Sequence, residues 1–68
     1  MSQFFAHERD EQRCRHSLAF QRPITVTGLT LDGKERPFTG VVQSVERGHT
    51  TYAHCPLLVT MSDTADMA

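Results

Sequence analysis

The sequence lacks most of the features that usually indicate a function. It has no tryptophan, one tyrosine and two cysteines, and seven Lys or Arg are balanced by eight Asp or Glu. A nucleic-acid-binding domain normally carries a clear basic excess, so this balance argues against nucleic acid as a partner. With 68 residues and few large apolar side chains, we expect one small domain (1–68) with a thin core.

Long apolar runs are absent as well. Apolar runs reach only three residues, as at Leu57–Val59, far below the ~20 residues that span a bilayer. The N-terminal Met1–Ala6 runs directly into charged residues, unlike a signal peptide. Two cysteines do not form the disulfide framework of a small secreted protein. We therefore expect a cytoplasmic protein with reduced thiols and no membrane association.

Local patterns predict a mainly β protein, with an N-terminal helix followed by a small four- to five-stranded antiparallel meander or partly closed barrel. Apolar and polar residues alternate from Pro23 onward, the alternation changes phase at Gly28 as in a β-bulge, and Asp32-Gly33 favours a two-residue hairpin turn. An uncovered sheet edge would allow dimerisation. The predicted segments are a helix at about 2–16, strands at about 23–31, 36–45, 49–55 and 57–61, and a frayed tail at 62–68.

Metal-ligand and catalytic residue types are present, but their spacing is poor. Cys14, His16, His54 and Cys55 are zinc-ligand types. On a helix, positions 14 and 16 point apart, and on a strand, positions 54 and 55 face opposite sides. No nucleophile elbow, βαβ unit or phosphate-binding glycine loop is present in the sequence. We therefore expect packed cysteines, surface histidines, no cofactor and no enzymatic activity.

The arginines form the most suggestive pattern. Arg9 and Arg13 are four residues apart, a spacing that puts two guanidinium groups on one face of a helix or clusters them in a turn. Each planar fork can bind a phosphate bidentately. The spacing therefore allows a site for a pair of phosphates.

The order of motifs resembles the N-terminal part of a PilZ domain, the family of small β-barrels that bind cyclic di-GMP. The similar segments lie within about residues 8–50 and are Arg9-x-x-x-Arg13, Pro23–Val26, Asp32-Gly33, Phe38-Thr-Gly40 and Gln43–Gly48. The resemblance implies that Arg9 and Arg13 hold phosphates. It also places Gln43, Val45 and Gly48 at the positions of the family's Asp/Asn-x-Ser-x-x-Gly motif. Gln43 and Val45 depart from that motif, so the match is to a degenerate and truncated member.

A second resemblance gives an alternative. Small Sm-like and SH3-like barrels also combine an N-terminal helix with a short strand meander. The run from Cys14-x-His16 to the hairpin at Leu29–Gly33 is similar to small proteins that inhibit the Rho termination factor. That similarity implies docking on a protein or RNA partner, with Arg13, Arg15 and Arg22 as interface residues. Both hypotheses describe a non-enzymatic regulatory binding module, and the sequence leaves them open.

Overall fold

The computed structural model describes residues 1–63 and shows a mainly β protein with one α-helix. The four strands are antiparallel, which confirms the predicted fold class. No helix in this part of the chain is both long and apolar enough to cross a membrane. In chain order the elements are β1 (Ser2–Ala6), a 3-10 turn (Glu8–Asp10), α1 (Glu11–Phe20), β2 (Ile24–Leu29), β3 (Glu35–Arg47) and β4 (Leu57–Asp63).

The strands close into a ring of hydrogen-bonded pairs in the order β1-β2-β3-β4. The long strand β3 pairs through its first half with β2 and through its second half with β4. Strand β4 pairs along its length with β1, which meets β2 at Phe5 and Leu29. At Gly40, where β3 passes from one partner to the other, a Cβ would overlap the carbonyl of Ser62. Glycine there allows β4 to approach closely.

The core lies inside this ring and under α1. Phe4 is its largest side chain and stacks on Phe38, with the ring centroids 4.2 Å apart. Leu18, Ile24 and Val45 pack against the core from its margin. The fully enclosed apolar residues are Phe4, Ala6, Cys14, Val26, Val42, Leu57, Val59 and Met61.

The predicted N-terminal helix at 2–16 is wrong at both ends. Residues 2–6 form β1, in which Phe4 faces the core while Phe5 contacts Tyr52 and His49 on the other side. Alternation of strand side chains lets both rings be buried, which a solvent-exposed helix would not do. The helix runs on to Phe20 and ends at Gln21, whose φ of 52° is left-handed.

The hairpin between β2 and β3 has a longer loop than predicted. The backbone N–H of Gly33 donates to the Thr30 carbonyl (2.9 Å), and that of Thr30 donates to the Lys34 carbonyl (2.8 Å). Leu31, Asp32 and Gly33 therefore form a three-residue loop, with Gly33 at φ 92°. A two-residue type I′ turn needs positive φ at both central residues, and of Asp32 and Gly33 only Gly33 has it.

The predicted β-bulge at Gly28 is wrong too. Gly28 pairs in register with Arg36, and the irregularity in the sheet falls between Val42 and Ser44 on β3. The extra residue there is Gln43. Buried and exposed residues keep alternating through Gly28 in β2, so the phase change in the sequence does not mark a bulge.

The segment predicted as a strand at 49–55 is a loop that joins β3 to β4. Its ends are tied by a hydrogen bond from the His49 N–H to the Pro56 carbonyl (3.0 Å). The Tyr52 hydroxyl donates to the Leu31 carbonyl (3.1 Å), which anchors the loop to the β2–β3 hairpin. Of the tail predicted at 62–68, the first two residues end β4, and 64–68 lie outside the described residues.

Candidate functional site

The inner face of α1 is fixed to the sheet by a buried serine. The Ser17 hydroxyl accepts a hydrogen bond from the Val42 N–H (3.0 Å) and donates to the Arg22 carbonyl (2.5 Å). Val42 lies in the half of β3 that β2 does not reach. Ser17 therefore satisfies a strand N–H that lacks a strand partner and holds the end of α1 in place.

Cys14 is the other fully buried residue on this face. Burial raises the pKa of the Cys14 thiol to about 11, and the negative charge of Asp10 adds to the increase. A thiol with so high a pKa is protonated at neutral pH and is a poor nucleophile. Cys14 is therefore a packing residue.

One flank of α1 faces the end of β3, and its charges are paired. We call Glu11, Arg15 and Arg47 the Glu11 flank. Arg15 Nε donates to the Glu11 carboxylate (2.9 Å), and Arg47 pairs with the other oxygen of the same group. The hydrogen bond from Arg15 and then the charge of Arg47 hold the pKa of the Glu11 carboxyl below its usual value of 4.5. This flank contributes to the attachment of α1 to β3.

The opposite flank faces β2 and is open. We call Gln12, Arg13, His16 and Phe20, together with Ile24 of β2, the Phe20 flank. Phe20 is 64% exposed, and its ring centroid lies 4.6 Å from that of His16. Gln12, Arg13, His16 and Ile24 line a shallow groove of about 320 Å³ beside it. The flank thus combines an exposed aromatic ring with a recess whose floor is largely apolar.

The arginines of this region have different roles. Arg13 Nη2 donates to the Thr25 carbonyl (2.8 Å), and its Nη1 lies 3.8 Å from the Asp10 carboxylate. Arg13 therefore connects α1 to β2 while about half of its side chain stays exposed. Arg9 and Arg22 are exposed, and within residues 1–63 neither guanidinium group has a hydrogen bond or an ion pair.

The residues of the PilZ-like hypothesis lie on different elements of the fold. Arg9 is in the 3-10 turn and Arg13 on α1, whereas Gln43 is exposed at the bulge, near the Val41 carbonyl (3.3 Å). Val45 is turned toward the core, and Gly48 follows β3 at φ 99°. In the described part of the chain, no hydrogen bond or ion pair joins either arginine to Gln43.

The zinc-ligand types are also dispersed. Cys14 is in the core, His16 is exposed on α1, and His54 lies in the loop, parallel to His7 with 6.1 Å between ring centroids. Cys55 is half-buried, and burial raises the pKa of its thiol. Both cysteines are free. Among residues 1–63, no group of three or more His, Cys, Asp or Glu side chains is placed to hold a metal ion.

A second shallow cavity, also about 320 Å³, lies under the β3–β4 loop and is lined partly by Glu8, His49, Tyr52 and His54. Its aromatic side chains are committed to packing. Tyr52 and His49 both make edge contacts with Phe5, and Tyr52 also bonds to the hairpin. This cavity is therefore a by-product of loop packing, and the Phe20 flank is the stronger candidate.

Sequence reasoning identified Arg13, His16 and Arg22 as surface residues but missed Phe20 and Ile24. A signal was present, because no Gly or Pro interrupts the chain between residue 11 and Pro23. A helix continued to residue 20 places His16 and Phe20 at i and i+4 on one face. Comparison with protein-family models, curated proteins and solved structures finds no match to this chain. The functional proposal therefore rests on the geometry and on the sequence resemblances.

Proposed function

We propose that this chain is a small non-enzymatic regulatory module that docks on a protein partner through the Phe20 flank. The exposure of Phe20 on a helix of only ten residues carries the proposal. Burying an aromatic side chain stabilises a protein by roughly 1.5–3 kcal/mol. A domain with so small a core gains nothing in stability from leaving this ring in water, so a binding role accounts for its position better than a folding role.

The other exposed large apolar residues lack this setting. Leu31, 57% exposed, stands alone at the tip of the β2–β3 hairpin, and Met1 is at the N-terminus. Single exposed apolar residues of this kind are common and need no explanation. Phe20 differs because the His16 ring packs against it at a tilted angle, and a groove lined in part by His16 and Ile24 lies beside it.

The second sequence resemblance suggests a partner to test first. The segment similar to small Rho-inhibiting proteins runs from Cys14 to Gly33, and the Phe20 flank falls largely within it. Such inhibitors act by docking on the termination factor. Purified Rho is therefore the first protein to titrate against this chain, with the Phe20→Ser variant as the matched control.

Photo-crosslinking tests docking without assuming a partner. p-Benzoylphenylalanine is incorporated in place of Phe20 in one variant and in place of Leu31 in another, and living cells are irradiated. We expect a discrete adduct of defined mass from position 20 and none from position 31. Equal labelling from both positions, or no adduct from position 20, would contradict docking through the Phe20 flank.

Cyclic di-GMP binding is a second candidate, supported by the exposure of both Arg9 and Arg13, four residues apart in the sequence. Loss of a charge-assisted bidentate bond costs roughly 1.5–3 kcal/mol, or about 10- to 100-fold in affinity. Arg9→Ala should produce this loss in a calorimetric titration, and Arg36→Ala, which removes an exposed arginine of β3, should not. No heat from folded wild-type protein at high micromolar ligand would reject this candidate.

A further inference from the structure

Arginine side chains lie on both sides of α1. On the Glu11 flank, the carboxylate of Glu11 is shared by Arg15 and Arg47. On the other side, Arg13 is half-exposed and Arg22 is exposed. The carboxylate paired with Arg13 belongs to Asp10, whose side chain is only 14% exposed. The surface that the Phe20 flank presents to solvent is therefore positive.

The groove at the centre of this positive surface suits one apolar side chain. Ile24 and the His16 ring line it, and its volume is about 320 Å³. Interfaces draw most of their binding energy from such anchored side chains at the centre. Charges at the rim contribute less energy, but they determine which partners approach and in which register.

We infer that the segment bound by the Phe20 flank is acidic and carries one apolar anchor residue. The anchor enters the groove between His16 and Ile24, and carboxylates on either side of it pair with the exposed parts of Arg13 and Arg22. This inference rests on the proposed docking function and specifies the chemistry of the partner. Arg13 already has Asp10 as a partner, so a neutral or basic segment would leave the guanidinium group of Arg22 uncompensated near the anchor.

The test is a nuclear magnetic resonance titration of the ¹⁵N-labelled full chain with three synthetic peptides. The first is a short run of glutamates around a central phenylalanine, the second has lysines in place of the glutamates, and the third has alanine in place of the phenylalanine. We expect the first peptide to shift the amide signals of Gln12, His16 and Ile24. The lysine peptide should shift none of them, and the alanine peptide should bind about tenfold more weakly or worse.

A charge reversal sharpens the test. Arg22→Glu should weaken binding of the acidic peptide by at least two- to fivefold, the range expected for an exposed ion pair, whereas Arg36→Glu on β3 should not. Equal binding of the acidic and lysine peptides, shifts that map elsewhere, or an unchanged affinity for Arg22→Glu would each overturn the inference. Concentration-dependent shifts of the flank in the free protein would overturn it in favour of a second copy.

Docking through the Phe20 flank and the acidic nature of the partner can be rejected independently. A crosslinked adduct from position 20 without any response to the acidic peptide would retain docking and reject an acidic partner. No adduct and no peptide response would reject both.

Discussion

The two flanks of α1 belong to the same ten-residue helix but differ in how their side chains are used. On the Glu11 flank, three charged groups form a compact set of ion pairs that joins the helix to β3. On the Phe20 flank, an aromatic ring and a largely apolar groove face solvent. Attachment of the helix accounts for the first flank and leaves most of the second unexplained. This difference is the basis on which we propose the Phe20 flank as the binding side of the helix.

Attachment is needed because α1 is too short to be stable alone in water. Ser17 and Cys14 hold its inner face, Glu11 holds one flank, and Arg13 contributes the only bond from the other flank to β2 within the described residues. Phe20 has no part in these contacts. The comparison therefore predicts that substitutions around the helix will separate into effects on stability and effects on binding.

The largest effect on stability is expected at Ser17. In Ser17→Ala the Val42 N–H loses its partner in the interior, which should reduce the free energy of unfolding by about 2 kcal/mol. Urea denaturation followed by circular dichroism measures this loss. Ala19→Ser, which adds a hydroxyl on the exposed side of the same helix, serves as control and should change stability by less than about 0.5 kcal/mol. If the two variants have the same free energy of unfolding in urea, the Ser17 contacts do not hold the helix.

Cys14 is expected to make the stability depend on pH, with a smaller effect than that of Ser17→Ala. Its folded pKa of about 11 is above the usual 9.0, so the unfolded chain loses this proton first as the pH rises. The contribution of the neutral thiol to the free energy of unfolding is fully present below pH 9 and is lost progressively toward pH 11. About 1 kcal/mol of it is lost at pH 10. Stability should therefore fall more steeply between pH 8 and pH 10 in the wild type than in Cys14→Ala. Parallel curves would show that the thiol is not held in its neutral form.

Glu11 is expected to make the stability depend on pH in the opposite direction, with a loss as the pH falls. Its pKa is lowered in the folded state, so its contribution is present above pH 4.5 and is lost as the pH falls through the folded pKa. Thermal melts between pH 7 and pH 3 should show a steeper loss for wild type than for Glu11→Gln. Glu35→Gln, at the exposed start of β3, is the control and should follow the wild type. A Glu11→Gln profile identical to wild type would mean that the ion pairs contribute nothing.

The smallest effect on stability is expected at Phe20. Because the ring is mostly exposed, Phe20→Ser should leave the free energy of unfolding within about 0.5 kcal/mol of wild type. The same variant should lose the crosslinked adduct when the crosslinker is moved to Gln12 in the groove. A destabilisation comparable to that of Ser17→Ala would show that Phe20 is a folding residue and would remove the distinction between the flanks.

Much of the fold was predictable because its signals are local. Side-chain alternation placed β2 and β3 within a few residues, and the short apolar run at 57–61 marked β4. Strand β1 was not predictable in this way, because Phe4 and Phe5 are buried through pairing with residues more than 50 positions away. The local preference of residues 2–6 for a helix could not reveal this strand pairing, and the pairing outweighed that preference.

The candidate site was less predictable than the fold. The arginine pattern directed attention to Arg13, which belongs to the Phe20 flank, and to Arg22, which lies between Phe20 and Ile24 in the sequence. Phe20 itself was missed because the predicted helix ended at residue 16, and its exposure depends on how α1 sits on the sheet. Val45 was assigned to a ligand site by its position in a motif, whereas the bulge at Gln43 turns it toward the core.

The most direct test of the account moves one crosslinker between two neighbouring residues. p-Benzoylphenylalanine replaces His16, on the Phe20 flank, or Arg15, on the Glu11 flank, and irradiated cells are analysed for adducts. Both positions are exposed, so access of the crosslinker to solvent does not distinguish them. The account predicts a discrete adduct from position 16 and little or none from position 15. An adduct from position 15 alone, or equal yields from both, would contradict it.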